Sequence, residues 1–153
     1  CNQLVKIKNY FQYYLFMTTQ KQLNELTFEI IGAAIEVHKT MGKGLLENIY
    51  HHCLLEELKT RNINFISEKN IPVFYKEKKL AIDFKCDLLV ENNIVIELKS
   101  VSEITPIHKA QLLTYMKLLN VPKGILINFN CFNIFKEEQM TFVNEIFHQL
   151  PKH

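Results

Sequence analysis

Two acids and a lysine at short spacing concentrate the chemistry of this sequence: Asp87 in Asp87-Leu88-Leu89-Val90-Glu91, and Glu97 with Lys99 in Ile94-Val95-Ile96-Glu97-Leu98-Lys99. Side chains alternate along a strand, so Glu97 and Lys99 share a face and present a carboxylate beside an ammonium. Taken alone, a Glu-x-Lys on a strand usually describes a solvated face. Register changes its meaning. A three-residue turn at Glu91-Asn92-Asn93 would set Asp87 directly opposite Glu97, with Cβ atoms about 5 Å apart, whereas a two-residue turn would separate them onto opposite faces. Directly opposed carboxylates repel, and a cation between them removes the repulsion. A hard divalent ion such as Mg²⁺ fits, because it is commonly held by one or two carboxylates with waters and substrate phosphate. The competing reading has Lys99, or Lys85 nearby, neutralising the pair as a surface salt bridge worth at most about 1 kcal/mol.

Other groups can join these. Glu47 shares a helical stripe with Tyr50, Leu54 and Leu58, an acid on a mostly apolar face. Its position shortly after Gly44 also suits a first-turn carboxylate favoured by the helix dipole. Gln111 and Tyr115 stand at i and i+4, with His108 a turn earlier on the same face, where packing is the commoner role.

The elements that must position these groups can be read from periodicity. Leu23, Leu26, Ile30, Ala34, Val37 and Met41 recur at helical spacing after an expected N-cap at Asn24, and Gly42 ends that helix. A second helix is expected from Leu45 to Arg61, burying Leu46, Ile49, Tyr50, Cys53, Leu54 and Leu58. From Ile71 the period becomes that of strands. Pro72 to Tyr75 and Leu80 to Val90 are expected to join through a Lys76 to Lys79 turn, followed by Ile94 to Ser100. A helix is expected from the Thr105 cap and Pro106 to Leu119, then a buried strand from Gly124 to Phe129. Asn130 to His153 has no clear period.

The chain has 153 residues, 48% of them hydrophobic, enough for one domain with a core that needs no disulfides. Residues 1–17 read as an N-terminal extension, because Met17-Thr18-Thr19 resembles an ordinary start, and 18–153 as one domain. Net charge is only +2 with 22% charged residues, so any nucleic-acid face must be local. Cys1, Cys53, Cys86 and Cys131 lack the spacing of a zinc site or redox pair and read as reduced thiols. No apolar run reaches the roughly 18 residues that span a bilayer, and Tyr10 to Met17 lacks a signal-peptide cleavage pattern. A cytoplasmic protein without a membrane partner is expected.

The segment Gly44-Leu45-Leu46-Glu47-Asn48-Ile49-Tyr50 resembles the motif that names the GxxExxY proteins. The likeness extends through Ala34 to Lys39, Asp87 to Glu91, Ile94 to Lys99, His108 to Leu113 and Gly124 to Phe129, covering about Leu23 to Asn144. That family is assigned to the PD-(D/E)XK nuclease superfamily. The resemblance implies an α/β, restriction-endonuclease-like core: N-terminal helices, an antiparallel three-stranded meander, a helix and a further strand in a mixed central sheet. It implies that Asp87, Glu97 and Lys99 are the signature acids and lysine, and Glu47 the additional acid. Gln111 and Tyr115 look like the Gln-x-x-x-Tyr element of some members. Cys86 stands where the superfamily's name has Pro, and residues around Phe135 to Val143 match poorly.

The function so implied is metal-dependent hydrolysis of phosphodiesters in nucleic acid, with DNA the expected substrate. Mg²⁺ or Mn²⁺ would be held by Asp87, Glu97 and the Leu98 carbonyl with Glu47, Lys99 would position the attacking water, and His108, Gln111 and Tyr115 would contact substrate. Lys76, Lys78 and Lys79 are a candidate phosphate contact, although a solvated hairpin tip is the commoner role. The alternatives are a non-catalytic nucleic-acid-binding or interaction module with the nuclease fold, and a hydrolase of another phosphate ester. A homodimer is left open.

Overall fold

A computed structural model describes residues 18–153; the expected extension, Cys1 and the Tyr10 to Met17 stretch lie outside the described residues. The first helix, α1 (Gln20–Met41), begins one turn earlier than its apolar stripe suggests. Thr19 caps it, accepting from the Gln22 amide, while the Gln22 side chain accepts from the Thr19 amide. Asn24 is therefore not the cap but lies inside the helix. Gly42, at φ 77°, ends it. Helix α2 (Glu47–Thr60) buries Tyr50, Leu54 and Leu58. Leu46 and Ile49, expected in that stripe, are 74% and 39% exposed, because α2 turns only its narrow Tyr50 face to the sheet.

The chain then enters a strand that the sequence did not announce, β1 (Phe65–Asn70), whose residues alternate between half-buried and exposed. After Pro72 a separate two-stranded ribbon forms from β2 (Phe74–Tyr75) and β3 (Lys78–Lys79). The expected long strand from Leu80 shrinks to β4 (Lys85–Val90). Residues 80–84 are irregular and Ile82 is 56% exposed, because the amide of Ile71 donates to the Phe84 carbonyl and the chain is still closing the ribbon there. Then follow β5 (Ile94–Lys99), α3 (Pro106–Leu119), β6 (Lys123–Asn128), α4 (Ile134–Glu137), β7 (Gln139–Val143) and α5 (Glu145–Gln149).

The main sheet has the order β1-β4-β5-β6-β7. Only β5 and β6 are parallel, joined by α3 as a crossover; the other pairs are antiparallel. Both faces are covered. Leu88, Val90, Ile94, Ile96, Leu98, Ile125 and Ile127 pack with the helix pair α1 and α2. On the other face Leu89, Val95 and Leu126 pack with Leu112, Tyr115 and Met116 of α3. Such double coverage explains why β5 and β6 read as continuous apolar runs rather than as alternation. Gly124 lets α3 lie close, since a Cβ there would stand 2.7 Å from Met116 Sδ. Among the described residues no helix is long and apolar enough to cross a membrane.

Candidate active site

The turn between β4 and β5 fixes the register. Glu91 and Asn92 take φ of 48° and 57°, the Asn93 amide donates to the Val90 carbonyl, and the Glu91 carboxylate accepts from the Asn64 amide at 2.8 Å. Val90 thus pairs with Ile94, Leu89 with Val95 and Leu88 with Ile96. One step further, this register sets Asp87 opposite Glu97. There side chains replace backbone in the ladder: the Asp87 amide donates to Glu97 Oε1 at 2.9 Å, and the Leu98 amide donates to Asp87 Oδ2 at 2.7 Å.

Glu97 is 3% exposed. Burial first, then the nearby Asp87 and more weakly Glu47, push its carboxyl up to about 8 against the pull of the Asp87 amide and Lys99. Glu47 is raised too, by burial and then by Asp87, with Lys99 acting in the opposite sense. Glu47, Asp87, Glu97 and Lys99, drawn from α2, β4 and β5, therefore share one electrostatic neighbourhood. The ion pairs among the described residues do not include Lys99, and Lys85 pairs instead with Asp83 at 3.3 Å. Among the described residues neither lysine forms an ion pair with Asp87 or Glu97.

Local chemistry explains how Glu47 reaches this point. Gly44 has φ 94°, a conformation strained for any residue with a Cβ. The loop it shapes is tied down by the buried Tyr50, whose hydroxyl donates to the Gly42 carbonyl at 2.5 Å and accepts from the Leu45 amide at 3.1 Å. The Tyr50 ring stacks on Phe129 at 4.5 Å. Ser100, next to Lys99, closes the loop from the other side by donating to the Leu45 carbonyl at 2.6 Å. Gly, Glu and Tyr three residues apart are thus a bend, an acid at the first residue of a helix, and the anchor for the bend.

On α3, Gln111 donates to the Tyr115 hydroxyl at 2.8 Å. Burial, then Glu97 and Asp87, push Tyr115 up to about 12, so its hydroxyl keeps its proton beside the acids. His108 lies in the first turn, where its Nδ1 accepts from the Thr105 amide at 3.1 Å, which in the neutral ring leaves the proton on Nε2. Cys86 is buried and its thiol is pushed up to about 12, chiefly by burial and then by Glu97 and Asp87, which makes it inert. Sequence reading passed over Ser100 and also Asn128, opposite Lys99 in β6. The buried Asn128 amide bonds both the amide and carbonyl of Val101 and so pins the chain leaving β5. A polar residue closing an apolar strand was the available signal.

No three acidic, histidine or cysteine side chains among the described residues form a ready metal cage. A hard cation needs less from protein, one or two carboxylates with waters. Asp87 and Glu97 supply hard oxygen donors whose mutual repulsion such an ion would relieve.

The model of the PD-(D/E)XK nuclease superfamily matches residues 24–141. The chain belongs to this superfamily. Its mixed five-stranded sheet between helices is the restriction-endonuclease-like α/β fold. The solved structure described as "Crystal structure of SSO0001" is similar over 63% of the chain at 25% identity with a TM-score of 0.49. The chain spans about half, 48%, of that structure's length. No curated protein matches the chain.

Proposed function

We propose that this superfamily member is a metal-dependent nuclease of the GxxExxY kind that hydrolyses phosphodiester bonds, with DNA the expected substrate. The observation that carries the reading is the meeting of Glu47, Asp87, Glu97 and Lys99 from three elements, with Glu97 buried among like charges. Mg²⁺ or Mn²⁺ would be held by Asp87, Glu97 and the Leu98 carbonyl, with Glu47 beside them; when bound, the ion supplies a water of lowered pKa and stabilises charge at phosphorus. Lys99 holds the attacking water and offsets charge developing on the phosphate. Glu47, at the start of its helix and within the field of Asp87 and Lys99, would orient that water. The Tyr115 hydroxyl, oriented by Gln111, and the Nε2 proton of His108 donate to substrate oxygens. A cytoplasmic location and a homodimer belong to the same proposal.

One observation favours the non-catalytic module: an oxygen of Asp87 and one of Glu97 already accept backbone hydrogen bonds, so the site is satisfied without an ion. A panel of single-stranded, duplex, nicked and branched DNA and RNA, with Mg²⁺ or Mn²⁺, separates the two. The nuclease cuts at least one member, and Asp87→Ala and Lys99→Ala lower that rate by about 10²-fold or more. Absence of cutting throughout the panel, or undiminished cutting by both variants, rejects the nuclease.

A further inference from the structure

The β2–β3 ribbon takes no part in either apolar core, yet it exposes two aromatic rings, Phe74 at 57% and Tyr75 at 66%. An isolated two-stranded ribbon is marginal in water, so rings left uncovered on it contribute little to folding. Its register sets Phe74 opposite Lys79 and Tyr75 opposite Lys78. Adjacent residues point to opposite faces, so each face carries one ring with one lysine directly across from it. Lys76 adds its ammonium 5.6 Å from the Tyr75 ring.

Charge follows the same pattern. Residues 69–85 hold Lys69, Lys76, Lys78, Lys79 and Lys85 against Glu77 and Asp83, a net of +3, while the whole chain carries +2. The ribbon's foot is fixed by the Leu80 amide donating to the Val73 carbonyl at 2.9 Å and by the Ile71 to Phe84 bond at 2.8 Å. From there the chain runs directly into β4 and Asp87. A hollow of about 470 Å³ lies at the foot, lined among others by Ile71, Val73, Lys79, Ile82 and Asp83.

We propose that this ribbon grips an unpaired strand of nucleic acid, with a base stacked on the ring of each face and a neighbouring phosphate held by the lysine across from it. The proposal rests on the nuclease reading and names its substrate class, single-stranded or locally opened nucleic acid. An apolar protein partner would have to desolvate Lys76, Lys78 and Lys79 along with the rings, whereas a polyanion with aromatic bases satisfies both. Stacking faces are available only where bases are unpaired; a duplex offers the lysines its phosphates but gives the rings nothing.

Fluorescence anisotropy of the whole chain in EDTA, with labelled single-stranded and duplex oligonucleotides of DNA and RNA, tests the grip without cleavage. The wild type is expected to bind single strands more tightly than duplexes. Phe74→Ala/Tyr75→Ala should weaken single-strand binding at least about tenfold and duplex binding little, and Phe74→Leu/Tyr75→Leu, which keeps apolar bulk without rings, should do the same. Lys78→Ala/Lys79→Ala should reduce the salt slope for both forms by about 1 to 2. Unchanged single-strand affinity in the ring variants, or equal losses for duplex, overturns the grip, and a ribbon that instead binds protein gives the first of these. Adding Mg²⁺ to the same samples keeps the two readings apart. Cleavage with ring-independent binding leaves the nuclease and removes the grip, and ring-dependent binding without cleavage does the reverse.

Discussion

The parallel strands β5 and β6 carry a buried ionisable group at each end of their pairing, and the two are treated in opposite ways. Near the end of β5, Glu97 sits beside Asp87 and Glu47; at the start of β6, opposite Ile94, Lys123 sits alone. Lys123 donates to Asn24 Oδ1 at 2.7 Å and lies 5.2 Å from the Phe147 ring, and burial alone lowers it to about 8. Burial shifts both groups toward their uncharged forms. Only Glu97 is also opposed by like charges, and only there would an added cation be repaid by relief of repulsion. Lys123 is shifted by desolvation alone among neutral partners, whereas Glu97 is shifted by burial and by like charges together.

Three measurements can break this contrast. The largest effect is expected from Mg²⁺ itself: thermal denaturation at pH 8 should show stabilisation of the wild type, about 2.7 kcal/mol at a metal concentration 100 times Kd, and none in Asp87→Ala. Equal stabilisation of both proteins would mean that the acids do not bind the ion. Next, Tyr50→Phe leaves the Gly42 carbonyl and Leu45 amide without their partner and should cost about 1–3 kcal/mol by denaturant unfolding. If cleavage is present it should fall as well, because the bend that presents Glu47 loosens. The smallest effect concerns Lys123. A lysine lowered from 10.5 to about 8 in the folded state binds fewer protons there than in the unfolded chain, so its destabilisation is complete below pH 8 and relieved as pH rises towards 10.5. Lys123→Met should raise the melting temperature at pH 7 and abolish the gain in stability between pH 8 and 10.5. A variant that keeps that gain would show that the shift belongs to another group.

The same contrast explains what the sequence could reveal. Strands β5 and β6 were legible because both faces are buried, so apolar runs bounded by a turn and by Pro122 had no competing reading. The opposition of Asp87 and Glu97 was legible through the three-residue turn Glu91-Asn92-Asn93, in which Glu91 and Asn92 take left-handed conformations. Strand β1 was not, because Ser67, Glu68, Lys69 and Asn70 carry no apolar period and Glu68 interrupts regular geometry at φ 50°. Ile82 and Phe84 imitated strand alternation, although the backbone there is spent on closing the ribbon. Tyr50 was read as core, which it is; its second task, holding the Glu47 bend, depends on hydroxyl contacts eight and five residues back along the chain. Likewise, that Asp87 and Glu97 act on each other's strand through backbone amides has no counterpart in residue type or spacing.

Those two amides have a use of their own. The rungs at Asp87 and Leu98 are built from carboxylates, so they hold only while those oxygens remain turned toward the neighbouring strand. An ion that takes the same oxygens would slacken a specific stitch between β4 and β5 and leave the rungs from Leu88 to Val90 intact. Deuterium uptake at two backbone positions would then count the loaded molecules directly, whether or not any substrate is cut.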